Sequence, residues 1–68
     1  MKLTGKVTRA ASGNLIDCWY DRQSRDWVIQ TKDAGGNQIG DAMYVGCRDE
    51  AESEASTRLK DEGGPTEK

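Results

Sequence analysis

Apolar residues in the first two thirds of the chain fall into three short segments that predict β-strands. Residues 15–20 are rich in β-branched and aromatic side chains and end at the polar run 21–26, which has the length of a hairpin loop. Residues 27–32 follow, and a turn rich in Gly and Asn leads into the segment 38–45. These segments predict a three-stranded antiparallel meander. Residues 2–9 alternate only weakly and predict either a short edge strand or a mobile arm.

Residues 49–62 predict a single helix, because Ala51, Ala55 and Leu59 recur every four residues and form one apolar stripe. Asp49 is the expected N-cap, and the glycines that follow residue 62 are expected to end the helix. We therefore predict an α+β fold in which a three-stranded meander, to which the N-terminal segment can add an extra strand, packs against one C-terminal helix. A single domain is expected over residues 1–64, with a flexible tail at 65–68.

Strand alternation cannot turn all four aromatic residues to one side, because Trp19 and Tyr20 must point to opposite faces. The side chains expected to face the helix are Ile16, Cys18, Tyr20, Trp27, Ile29, Ile39, Met43 and Val45. The opposite face would carry Asp17, Trp19, Val28, Gln30, Lys32, Ala42 and Tyr44. Two interpretations of this second face stay open. Either it is an exposed contact surface, or residues 3–7 cover Trp19 and complete a second small core.

Composition limits the function classes. The 68 residues are 34% hydrophobic and 32% charged, which fits one small domain with a thin core. The net charge of −2 is unevenly distributed. Residues 1–48 carry seven basic and five acidic side chains (+2), and residues 49–68 carry three basic and seven acidic ones (−4). No apolar run has the length of a membrane span or of a secretory signal, so we expect a soluble cytoplasmic protein with no membrane partner.

The residues that usually carry chemistry are scarce. Histidine is absent, and no Ser or Cys has a base beside it, so we expect neither an enzyme nor a bound metal or cofactor. Cys18 and Cys47 are expected on the first and third strands, which the middle strand separates by about 10 Å. That spacing exceeds the reach of a disulfide, so both are predicted to be free thiols in the core.

The exposed-face interpretation predicts a binding site for nucleic acid. Aromatic side chains that alternate with basic ones bind nucleic acid through base stacking and phosphate contacts. The predicted contact residues are Trp19, Arg22, Arg25, Gln30, Lys32 and Tyr44. Asp17, Asp21 and Asp41 weigh against an anionic partner, because each would repel a phosphate nearby.

Two further functions stay open. The helix acids Asp49, Glu50, Glu52 and Glu54 are either a solvated face or an acidic surface that binds a basic protein. A small acidic inhibitor of the phage type, directed against host restriction or CRISPR defence, would bind a host protein or nucleoprotein complex through these acids or through the open sheet face. Alternatively, two open faces could bury each other in a homodimer.

The middle strand opens with Trp27-Val28-Ile29, and the helix opens with Arg48-Asp49-Glu50-Ala51. The chain resembles two related families in these features and in its order of three strands followed by a helix. These are the arm-site DNA-binding domains of phage-type tyrosine recombinases and the plant Apetala-type DNA-binding domains. The resemblance spans residues 15–62 and implies a sheet that enters the DNA groove with the helix as backing. It implies contacts from Trp27, Arg22, Arg25 and Lys32. Those families are typically basic across the sheet, whereas this chain carries several aspartates there.

Overall fold

The computed structural model describes residues 2–65 as an α+β domain. Its elements are β1 (Lys6–Arg9), β2 (Leu15–Asp21), β3 (Asp26–Lys32), β4 (Gln38–Val45) and α1 (Arg48–Asp61). The strands form one sheet in the order β1-β2-β3-β4, and all neighbours are antiparallel. The predicted meander and helix are confirmed. The N-terminal segment supplies a fourth strand at one edge of the sheet.

Local sequence explains both hairpins that flank β3. Residues 22–25 connect β2 to β3, and the Arg25 N–H donates to the Asp21 carbonyl at 2.8 Å. Arg25 has a φ of 59°, a left-handed conformation that is uncommon outside glycine. At the other end of β3, Asp33 Oδ1 accepts hydrogen bonds from the backbone N–H groups of Gly35 and Asn37, both at 2.9 Å. An Asp side chain that bonds its own turn in this way is typical of tight loops.

Strand β4 contains a bulge. The pairing with β3 is regular over Trp27 to Ile29 and then shifts, so that residues 40–42 all lie opposite the single residue Gln30. Gly40 makes the extra length possible, because its φ of 71° suits a residue without a Cβ. The bulge lies in the middle of a free sheet edge.

The ends of α1 differ from the sequence prediction. The N-cap is Cys47, whose side chain makes no capping hydrogen bond, so the expectation that Asp49 caps the helix was wrong. Asp49 lies in the first turn, where its charge still complements the helix dipole. At the C-terminal end Gly63 and Gly64 both have positive φ and reverse the chain. The turn brings Pro65 into a β-bridge with Ala10, so the part of the predicted tail that the structure describes is paired.

The core lies between α1 and the central strands. Its buried members are Leu3, Ala10, Ile16, Cys18, Ile29, Ala51, Ala55 and Leu59, with Trp27 and Val45 packed against them. The sequence pattern does not predict Leu3 and Ala10 as core residues. Both alanines of the helix stripe are fully buried, because small side chains let the helix approach the sheet closely.

Three residues that were predicted to face the helix are exposed instead. Tyr20 is 46% exposed, Ile39 44% and Met43 41%. The 14-residue helix packs mainly across β2 and β3, so the helix side of β4 lies largely beyond its reach. Tyr20 lies near the end of β2 and packs edge-on against Trp27, with ring centroids 5.4 Å apart. Alternation correctly predicted which sheet face these side chains lie on. Their burial depends in addition on how far the helix extends across the sheet.

Candidate binding surface on the open sheet face

The sheet face opposite α1 carries a row of three apolar side chains from neighbouring strands. Val28 pairs with Trp19 on one side and with Tyr44 on the other, so all three point away from the helix. Val28 is only 2% exposed although it is not part of the core beneath α1. Trp19 is half-buried and Tyr44 is 58% exposed. The two rings therefore shield Val28 and leave an aromatic surface above it. We call this set the aromatic row.

The N-terminal segment runs beside the aromatic row and does not cross it. Leu3 is buried in the core on the helix side. The Gly5 N–H donates to the Cys18 carbonyl at 2.7 Å, which places a residue without a side chain at the edge next to Trp19. Val7 shares the open face and is 52% exposed. Among residues 2–65, this placement favours the first of the two interpretations, in which the second face is a contact surface.

Lys32 and Gln30 lie on the open face beside the row, as the alternation predicts, but Lys32 is not a free cation. Its Nζ lies 3.1 Å from Oδ2 of Asp17, and only 29% of the Lys32 side chain is exposed. Gln30 pairs with Asp17 in the ladder and is half-buried. The ion pair neutralises the one lysine that was predicted to meet a phosphate, and within residues 2–65 the remaining cation on this side is Arg9, which is exposed on the edge strand.

The other side of the row is acidic. Asp21 and Asp26 pair directly opposite each other where β2 ends and β3 begins, next to the Trp19 and Val28 positions. Oδ1 of Asp21 accepts a hydrogen bond from the Gln23 N–H at 3.0 Å. The ion pairs found among residues 2–65 involve neither aspartate. The like charges of this acidic pair stand close together, an arrangement that is locally unfavourable.

Arg22 and Arg25 lie in the loop at the tip of the same hairpin, and both are exposed. In the described part of the chain neither guanidinium forms an ion pair. Of the six residues predicted to contact a partner, four belong to the open face, and these two arginines extend the surface at the hairpin end. Asp21 and Asp26, which complete its charge pattern, were not among the predicted contact residues. Each aspartate is two residues from Trp19 or Val28 on its strand, and this spacing predicts that it lies on the same face.

The acidic surface of α1 is smaller than the sequence suggests. The Glu52 carboxylate accepts hydrogen bonds from the backbone N–H groups of Leu3 and Thr4, at 2.9 and 3.0 Å. Glu54 forms an ion pair with Arg58 at 2.8 Å. Asp49 and Glu50 are exposed. Glu52 therefore holds the N-terminal segment, Glu54 is neutralised by a neighbour on the helix, and Asp49 and Glu50 remain as the exposed acids of the four.

The two cysteines differ from each other. Both are free, as predicted, and β3 separates β2 from β4. Cys18 is buried, and its burial, reinforced by the negative charge of Glu52, raises the pKa of its thiol. Cys47 is exposed beside α1, so the prediction that it belongs to the core was wrong. Among residues 2–65 no group of three or more Cys, Asp or Glu side chains is placed to hold a metal ion.

No family model matches the chain, and comparisons with curated proteins and with solved structures also find no match. The resemblance to arm-site and Apetala-type DNA-binding domains stays a prediction. In the part of the chain that the structure describes, no helix has the length and apolar character that a membrane crossing requires.

Proposed function

We propose that this chain is a non-catalytic protein-binding module whose contact surface is the open sheet face around the aromatic row. The observation that carries the proposal is the placement of Trp19 and Tyr44 on either side of Val28, on a face that no other element of residues 2–65 covers. Tyr44 is exposed and Trp19 half-buried, and aromatic side chains of this kind supply a large contact area and are enriched in protein interfaces.

The charges around the row favour a protein over a nucleic acid. Asp17 neutralises Lys32, and the acidic pair of Asp21 and Asp26 borders the row on its other side. DNA and RNA affinity depends mainly on contacts between basic side chains and phosphates, with release of counterions. A backbone laid along the aromatic row would meet carboxylates at the positions where those contacts are needed. A small acidic inhibitor of a nucleic-acid-binding host protein fits this pattern.

Nucleic acid is the second candidate, and one observation favours it. Arg25 adopts a left-handed backbone conformation that costs an arginine roughly 1 kcal/mol. Strained backbone positions often lie at functional sites, and Arg25 and Arg22 of the same loop are both exposed. The hairpin tip would then contact phosphates, while the sheet face contributes stacking.

The test is to pan a phage-displayed random dodecapeptide library against the wild-type protein, with counter-selection on a Trp19→Ala/Tyr44→Ala variant. The proposal expects peptides that bind the wild type and fail to bind the variant. Thermal melting verifies that the variant is folded, and Lys60→Ala, at an exposed position of α1 away from the open face, is the control that should keep binding.

The second candidate is tested in parallel by fluorescence anisotropy with mixed-sequence duplex DNA over a series of salt concentrations. Salt-sensitive DNA binding that disappears in an Arg22→Ala/Arg25→Ala/Lys32→Ala variant would replace the protein-binding proposal with the nucleic-acid one. Sedimentation of the free protein tests the homodimer. A doubled mass that falls to the monomer mass in Trp19→Ala would mean that the open face binds a second copy of this chain.

A further inference from the structure

We infer that the open face binds its partner through an arginine side chain, whose guanidinium lies between the acidic pair of Asp21 and Asp26 and the ring of Trp19. This inference rests on the proposed protein-binding function and names the chemical group that the surface recognises. Charge complementarity carries it. Two carboxylates face each other without a cation within ion-pair distance among residues 2–65, and the neighbouring position on the same face is aromatic.

The spacing of the sheet suits one guanidinium. Asp21 and Trp19 are two residues apart on β2, which separates their positions by about 6.5 Å along the strand. Asp26 and Val28 have the same spacing on β3, so the four positions form two adjacent cross-strand pairs. A cation within about 6 Å of a tryptophan ring centroid gains a favourable interaction with the ring face. One side chain lying over these pairs can therefore reach both a carboxylate and the indole.

Arginine suits this site better than lysine. The planar guanidinium can donate two parallel hydrogen bonds to a carboxylate while one of its faces stacks on an aromatic ring. Oδ1 of Asp21 is occupied by the Gln23 N–H, so a guanidinium would bond the second oxygen of Asp21 and the carboxylate of Asp26. A lysine ammonium offers the same charge without the planar stacking surface.

The hairpin tip contains two arginines that could compete for the same carboxylates. Neither Arg22 nor Arg25 lies within ion-pair distance of Asp21 or Asp26 among the described residues. An external arginine would relieve the repulsion between the two carboxylates.

Titration of the isotopically labelled protein with hexa-arginine, followed by amide and indole NMR shifts, tests the inference. Hexalysine and hexacitrulline are the matched peptides, since citrulline keeps the planar group and lacks the charge. Shifts are expected at the Trp19 indole and at the amides of Asp21, Asp26 and Val28. Hexa-arginine should bind more tightly than hexalysine, and hexacitrulline should not bind.

The decisive variant is Asp21→Asn/Asp26→Asn, in which the side-chain amide oxygen introduced at position 21 can still accept the Gln23 N–H bond. The control is Glu50→Gln/Asp61→Asn, which changes the net charge equally at two exposed helix positions. Hexa-arginine affinity should fall about five- to tenfold in the first variant, because exposed ion pairs and cation–π contacts are individually weak. It should change less than about twofold in the control.

Equal losses in the two variants, or shifts confined to the acids of α1, would overturn the inference and indicate nonspecific attraction. This failure is distinct from failure of the proposed function. Peptides selected from the random library that depend on Trp19 and Tyr44 but lack arginine would leave the protein-binding surface intact and remove only its arginine specificity.

Discussion

Glu52 anchors Leu3: both of its carboxylate oxygens lie 2.9 Å from the Leu3 backbone nitrogen, and Oε1 also accepts the Thr4 N–H at 3.0 Å. The contact joins the first turns of α1 to the segment that precedes β1. It lets Leu3 close one end of the core, where it is 3% exposed. An acid that the sequence assigns to a solvated or partner-binding helix face therefore has a structural role.

Replacing Glu52 with Ala should lower the free energy of unfolding by about 1–3 kcal/mol, because two backbone donors lose a charged acceptor. A domain of this size has a total stability of roughly 3–10 kcal/mol, so the loss would be easily measured by urea denaturation. Glu50→Ala, an exposed position one residue before the buried stripe, is the control and should change stability by less than about 0.5 kcal/mol. Similar effects at both positions would show that the anchor contributes nothing.

Val28→Ala should destabilise the domain by about 1–2 kcal/mol, although Val28 lies on the face away from the helix. The physical reason is that Trp19 and Tyr44 shield Val28 from water, so truncation leaves a gap beneath the rings. Val7→Ala on the same face removes a 52% exposed side chain and should cost less than about 0.5 kcal/mol. Chemical denaturation distinguishes the two. Equal costs would mean that the aromatic row does not pack over Val28.

Arg25→Gly should raise the stability by about 0.5–1 kcal/mol. Glycine adopts the φ of 59° without the steric cost that arginine bears, although it loses more entropy on folding. Ser24→Gly, one residue earlier and without a positive φ, should be neutral or destabilising. Thermal melts of the two variants suffice. If Ser24→Gly were stabilised and Arg25→Gly were unchanged, the backbone strain would not lie at Arg25.

Acid should weaken the β3–β4 turn through Asp33. Hydrogen bonds from the turn, led by the Asn37 N–H, lower the pKa of Asp33 below its usual value. A carboxyl whose pKa is lower in the folded state stabilises the protein above its unfolded-state pKa, and that contribution is lost as the pH falls through the folded value. Stability measured from neutral to acidic pH should thus fall less steeply in Asp33→Asn than in wild type. Parallel pH profiles would contradict the assignment.

The two thiols should react at very different rates. Cys47 is exposed and should react with a disulfide reagent at the rate of an ordinary free thiol, whereas Cys18 is buried with a raised pKa and should react only when the domain opens. Mass spectrometry of the partly labelled native protein gives the order of labelling. The difference should vanish in denaturant, and fast native labelling of Cys18 would mean that the core is not closed.

Local pattern was sufficient to predict the strands, the helix and the direction of the side chains. Alternation from Leu15 to Tyr20 and the four-residue recurrence in α1 depend on geometry that each segment carries alone. The placement of Trp19 and Tyr44 on one open face follows from that alternation. The position of the acidic pair, Asp21 and Asp26, beside this row also follows from alternation once the hairpin register is known.

Features that depend on distant parts of the chain were missed. The burial of Leu3 and Ala10 requires Glu52 and the turn at residues 63–65 to be in place, and neither partner is near in sequence. The exposure of Ile39 and Met43 depends on how far one helix extends across the sheet. The ion pair of Lys32 with Asp17 depends on the diagonal between two strands. Each is a property of packing, which periodicity does not encode.

The bulge in β4 has a consequence for how the domain behaves at high concentration. A regular eight-residue edge strand with exposed Ile39, Met43 and Tyr44 would be a template on which another chain could extend the sheet. Residues 40–42 interrupt that template at its centre with a left-handed glycine and a charged Asp41. The Gly40 carbonyl already accepts a hydrogen bond from the Gln38 side chain, and the Asp41 carbonyl accepts one from Arg58, so these edge acceptors are occupied. The irregular edge at β4 is therefore a poorer template for adding a strand from another molecule than a regular strand of the same length would be.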